Sequence, residues 1–128
     1  MEPDVIAVHG LLARYGSLID QRHAQAWSEL FVPDGRLEIA NRAPIQGRQG
    51  LAAFAENSPV GTHLTGIPEL VVSGSVILAT STWIFLDRRA PGSRSGIYRD
   101  EILLPSQPGG APLFICRGIE ILPNEYAA

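Results

Sequence analysis

A chain of 128 residues, 45% hydrophobic and 18% charged, has the size and balance of one ordinary globular domain with one core. Its formal charge of −3, with ten basic residues that are all arginine and scattered along the chain, argues against a nucleic-acid partner, which needs a concentrated basic face. A single cysteine, Cys116, excludes a disulfide within the chain and fits a reducing compartment; in the apolar run LFICRG it reads as a buried small hydrophobe rather than a nucleophile.

The N-terminal stretch MEPDVIAVHG carries acids instead of a basic leader. No apolar run approaches the roughly 18 residues that a membrane span needs, so a cytoplasmic protein with no membrane partner is expected. From Pro3 to Gln21, Val5, Val8, Leu12, Tyr15 and Ile19 recur at helical spacing, with Pro3 and Asp4 suited to the first turn. A short second helix follows from His23 to Phe31, with Trp27 and Leu30 on its buried side. Pro33-Asp34-Gly35 then forces a turn, because proline fixes φ and glycine accepts positive φ. Arg36 to Asn41 reads as a short strand, and Arg48 to Glu56 as a third helix.

Beyond Asn57-Ser58-Pro59 the pattern changes to β-rich runs: Thr62 to Val72, Val76 to Leu86, Gly96 to Leu104 and Leu113 to Leu122. Ser73-Gly74-Ser75, Ala90-Pro91-Gly92 and the Pro105 to Pro112 stretch separate them as turns or loops. The expected class is therefore α+β, with three N-terminal helices, one early strand and an antiparallel meander, the sheet wrapping the long first helix around a conical cavity.

Asp20, Gly16 and Leu12 fall in one column of the first helix, where a glycine below a carboxylate leaves room for a ligand. Asp20 is either a cap for the next helix or part of a site, since an acid at a helix C-terminus is mildly unfavourable with the dipole. In GTHLTGIPEL, alternation puts His63 and Thr65 on one face and Thr62 and Leu64 on the other. His63 is either a satisfied structural histidine or a general base. On the third long strand Tyr98 and Asp100 share a face, open to a common cavity or to a cross-strand pair of Asp100 with Arg117. Tyr15 reads as a core aromatic whose hydroxyl reaches the cavity. Arg88, Arg89 and Arg94 form the nearest thing to a basic cluster and are read as loop solubility. No metal, dinucleotide, P-loop or serine-hydrolase signature is present, so no cofactor is expected.

The stretches YGSLID (Tyr15 to Asp20), AWSELFVPDG (Ala26 to Gly35), IQGRQGLAAF (Ile45 to Phe54), THLTG (Thr62 to Gly66) and GIYRD (Gly96 to Asp100) give the chain a resemblance to the SnoaL-like branch of the nuclear-transport-factor-2-like (NTF2-like) superfamily. The resemblance implies one domain over residues 1–128, a cone-shaped α+β barrel, a homodimer or homotrimer, and an active site inside the cone. The functional analogy it implies is with scytalone dehydratase and hexachlorocyclohexane dehydrochlorinase, in which a histidine base is steered by an aspartate; Asp20 and His63 match that pair. The second histidine of scytalone dehydratase has no counterpart in IFLDRRA. The base carboxylate of steroid isomerases is missing from LEIANRAP, and the Arg-with-two-Asp arrangement of limonene epoxide hydrolase is not evident.

The resemblance implies a cofactor-independent lyase or isomerase acting on a small apolar, cyclic molecule. Asp20 and His63 would be catalytic, and Tyr15, Trp27, Leu64, Trp83, Tyr98 and Asp100 would bind substrate. The alternatives are a non-catalytic small-molecule-binding or structural subunit of the same fold, and a polyketide cyclase-like enzyme with an acid as principal base.

Overall fold

The computed structural model describes residues 2–89 and 92–123. Helix α1 (Glu2–Asp20) buries Val8, Leu11, Leu12, Tyr15 and Ile19, the stripe that its apolar spacing predicts. It ends in a Schellman motif: the His23 N–H donates to the Leu18 carbonyl at 2.9 Å and the Arg22 N–H to Ile19 at 3.1 Å. The left-handed position of that motif, usually glycine, is held by Arg22 at φ 65°.

Helix α2 (Ala24–Ser28) is shorter than its sequence signal, because Phe31 already begins strand β1 (Phe31–Ile39). The Pro33-Asp34-Gly35 turn lies inside that strand as an irregularity. The β1 register against the last strand shifts between Phe31 and Arg36, so the chain bends without leaving the sheet. Two residues, β2 (Ile45–Gln46), then pair back onto β1 before α3 (Arg48–Asn57).

The expected strand from Thr62 to Val72 is two strands, β3 (Gly61–Thr65) and β4 (Glu69–Ser73). Both pair with β5 (Val76–Asp87), and Gly66-Ile67-Pro68 breaks the run because proline cannot donate to the ladder. Strands β6 (Ser93–Leu103) and β7 (Leu113–Ile121) complete the sheet, in the order β2-β1-β7-β6-β5-β3. Among the described residues only the β1–β7 pair is parallel. The curved sheet is open, with β2 and β3 at its ends, so the cone is a half-barrel rather than a closed one. Of the Ala90-Pro91-Gly92 turn, Ala90 and Pro91 lie outside the described residues.

The inner face of the sheet, with Ile77, Ala79, Trp83, Phe85, Tyr98, Ile102 and Phe114, closes on α1 and forms the core with Trp27 and Leu51. The outer face leaves Leu78, Ile84 and Leu86 exposed. Strict alternation along β5 produces this split, so the sequence period decides which side chains meet the helices.

Candidate active site

Edge strand β3 runs beside the C-terminal end of α1, and the two are close enough that His63 Cβ lies 3.5 Å from where a side chain on Gly16 would begin. This approach brings Asp20 to His63. The His63 backbone N–H donates to one carboxylate oxygen at 2.8 Å, and ring Nδ1 lies 2.6 Å from the other. Asp20 therefore gives an unpaired edge N–H an acceptor and fixes the imidazole at the same time. The hydrogen bonds offset the dipole penalty of an acid in the last turn of α1.

Both side chains are largely but not fully buried, at 16% exposure for His63 and 19% for Asp20. Phe85 packs on the His63 ring at 4.6 Å between centroids, and Tyr15 meets it edge-on at 6.3 Å.

His63 lines a cavity of about 540 Å³ between the sheet and α3, walled by Tyr15, Phe54, Trp83, Phe85 and Tyr98. Two strand glycines mount two of these walls. A Cβ on Gly61 would stand 2.5 Å from the Phe85 ring and closer still to the Leu86 carbonyl, and one on Gly96 2.7 Å from the Trp83 indole and closer still to the Glu120 carbonyl, so a side chain fits at neither position. His63 also borders a second hollow of about 440 Å³, which runs along the Leu12, Gly16 and Asp20 column of α1. The pair thus separates an inner cavity from an outer groove.

Of the other residues expected to bind substrate, Tyr15, Trp83 and Tyr98 line the cavity and three do not. Trp27 is fully buried in the core, stacked behind Phe54 at 6.0 Å, and so supports the wall without forming it. Leu64 points away from the cavity and is 55% exposed, as alternation next to an inward His63 requires. Asp100 is committed to Arg117, which donates through Nε at 2.8 Å and through its other bonded nitrogen at 3.1 Å. A carboxylate this deeply buried needs such a partner, and both its oxygens are engaged.

The Arg117 guanidinium lies 3.5 Å from the centre of the Tyr98 ring and 4.2 Å from that of Tyr15, behind the cavity wall. Burial alone would lower its pKa, but the Asp100 carboxylate reverses this and holds it protonated. Burial pushes the Tyr15 phenol up to about 12 and Tyr98 well above the ordinary value, so both are neutral O–H groups at physiological pH. The Trp83 indole N–H is buried without a partner among the described residues, a donor that an acceptor in the cavity could satisfy.

Sequence reasoning missed four residues at this site. Phe85 was legible from alternation, being on the same face of its strand as Trp83. Arg22 carried no local signal, because its partners are 34 to 37 residues away: it donates to the carbonyls of Glu56 and Ser58, both at 2.9 Å, to Pro59 at 3.4 Å and to the Ser58 hydroxyl at 3.2 Å. Arg42 and Arg94, which also line the cavity, lie in segments that read only as loops or loop flanks.

A family model described as the SnoaL-like domain matches residues 3–104. The chain belongs to the SnoaL-like family. Among solved structures it is similar to an NTF2-like protein with a cystatin-like fold from Novosphingobium aromaticivorans, at 25% identity and TM-score 0.83 over 98% of this chain and 86% of the other. It is also similar to a single-residue variant of Rv3472, a protein of unknown function from Mycobacterium tuberculosis, at 25% identity and TM-score 0.82 over 93% of this chain and 72% of that one. A scytalone dehydratase-like protein from Novosphingobium aromaticivorans shares the fold at 18% identity and TM-score 0.74, covering 91% and 83%. The curated proteins give no match. The solved structures that share this fold thus include a dehydratase-like protein as well as a protein of unknown function. No described helix of this member is long and apolar enough to cross a membrane.

Proposed function

We propose that this SnoaL-like domain is a cofactor-independent lyase or isomerase that removes a proton from carbon in a small, largely apolar cyclic substrate. The observation that carries the reading is the 2.6 Å contact between His63 Nδ1 and Asp20 at the wall of an apolar cavity of about 540 Å³. With Nδ1–H donated to the carboxylate, Nε2 keeps its lone pair as the base. The proton taken from the substrate makes an imidazolium, which Asp20 stabilises at hydrogen-bond distance. The negative charge left on the substrate passes to a carbonyl or a leaving group, where a neutral Tyr15 or Tyr98 hydroxyl or the Trp83 indole N–H donates to it.

The test is hydrogen–deuterium exchange and water loss, followed by NMR in D2O, on cyclic ketones and β-hydroxy ketones. The wild type should turn over a member of this panel, and His63→Ala should slow it by about 10²–10⁴-fold. Full activity in both His63→Ala and Asp20→Asn would overturn the mechanism. Asp20→Asn being far more damaging than His63→Ala would instead make the acid the principal base, as in the cyclase alternative. Saturable binding with no turnover would favour the non-catalytic one.

A further inference from the structure

We propose that the molecule taken into this cavity is an anion: a small ring-containing carboxylate whose charge is held at the rim by Arg42 and Arg94 while its apolar body reaches inward to His63. The proposal rests on the reading of the cavity as the substrate site and adds the substrate's charge.

The charged side chains that line the cavity itself are cationic, and the nearest carboxylates, Asp20 and Asp87, stand behind His63 and Arg94. The ionisable side chains of the lining are Arg42, His63, Arg94 and two neutral phenols, with no Asp or Glu among the described residues that line it, although the chain holds 13 acids against ten bases. A cavity with low-dielectric walls and cations at its opening attracts anions even when the whole protein is acidic. Arg42 stands at the turn after β1, shaped by Asn41 at φ 67° and by the Arg42 N–H donating to Ile39 at 3.1 Å. Among the described residues its guanidinium has no carboxylate partner.

Arg94 is half exposed and shares Asp87 at 3.4 Å, a loose contact that a ligand carboxylate can supplement. Asp87 also accepts from the Arg89 N–H at 2.8 Å, so its charge is divided. The Arg94 guanidinium lies 5.5 Å from the centre of the Phe85 ring, whose own centre is 4.6 Å from that of His63. His63 and Arg94 thus stand opposite Phe85 on the two strands that flank it, so one ligand lying along Phe85 can meet both. The planar arginine fork suits a carboxylate, and Phe54 and Phe85 give the cavity an apolar lining for a ring.

Two probes of matched shape test this on the purified full chain: 2-naphthoate, an anion, and 2-acetonaphthone, its neutral counterpart, with affinities read by calorimetry. Naphthoate should bind at least about tenfold tighter, and Arg42→Gln and Arg94→Gln should each weaken it about three- to tenfold while leaving acetonaphthone unchanged. The preference should shrink between about 50 and about 500 mM NaCl, as screening requires. Equal binding of the two probes, binding of neither, or a preference that survives the Arg42→Gln/Arg94→Gln double substitution would overturn the proposal. His63→Ala should keep the preference for naphthoate. Its loss of turnover therefore reports on the proton-abstraction mechanism, and the arginine variants report on the charge of the ligand.

Discussion

The Asp20 carboxylate holds His63 at two points, one oxygen on the backbone N–H at 2.8 Å and the other on ring Nδ1 at 2.6 Å. Both contacts are made to one residue across 43 positions of sequence, so the helix end fixes the position and the tautomer of the imidazole together. Asp20→Asn tests the second function selectively. An asparagine can still accept from the His63 N–H through its oxygen, but it then presents an NH₂ to Nδ1. The ring must answer with its lone pair, which moves the proton to Nε2 and blocks the base. We expect turnover to fall by about 10²–10⁴-fold with little change in thermal stability, and nitrogen NMR to show the Nε2–H tautomer. An unchanged tautomer in the variant would show that Asp20 does not set it.

Arg22 joins the two ends that this pair needs. Its backbone closes α1 two residues after Asp20, and its guanidinium gathers the carbonyls of Glu56, Ser58 and Pro59, where α3 ends and the chain turns into β3. The left-handed φ of 65° costs an arginine roughly 1 kcal/mol that a glycine would not pay. Two substitutions separate the backbone from the clamp. Arg22→Ala keeps the strain and loses the hydrogen bonds, and should destabilise by about 1–3 kcal/mol. Arg22→Gly loses the same bonds but relieves the strain, and should be about 1 kcal/mol more stable than Arg22→Ala in urea unfolding. Both should lower turnover, because the segment leading to His63 is no longer tied to the end of α1.

The features legible in the sequence were those with a local period. The α1 stripe and the alternation along β5 and β6 follow from side chains that repeat every 3.6 or two residues. Local rules misplaced Pro33-Asp34-Gly35, where turn chemistry is absorbed as a bulge because β1 pairs with β7 on both sides of it. They also joined β3 to β4, since a hydrophobic run continues through Gly66-Ile67-Pro68 even though the ladder does not. In the site, Asp20 and His63 were candidates from the helix column and the strand face and a family pattern paired them, whereas the departure of Asp100 was already present as the alternative pairing with Arg117. Residues whose partners are remote, above all Arg22, Arg42 and Arg94, have no sequence period to reveal them.

Stability at high pH should report on two buried groups, Tyr15 at the cavity wall and Cys116 on the other face of β7. Burial pushes Tyr15 from 10.0 up to about 12 and the Cys116 thiol from 9.0 up to about 11, with Glu38 adding to the latter. In each case the native state keeps a proton that the unfolded chain has already released. Raising the pH therefore favours unfolding: the contribution of Cys116 is whole below about pH 9 and lost through about 11, and that of Tyr15 is whole below about 10 and lost through about 12. Urea midpoints should hold steady to about pH 9 and then decline, with Tyr15 alone accounting for about 2–3 kcal/mol once fully developed. Cys116→Ala should delay the onset by about one pH unit, because its titration begins first. A midpoint that stays level to about pH 11 would mean that these groups are not held protonated by the fold.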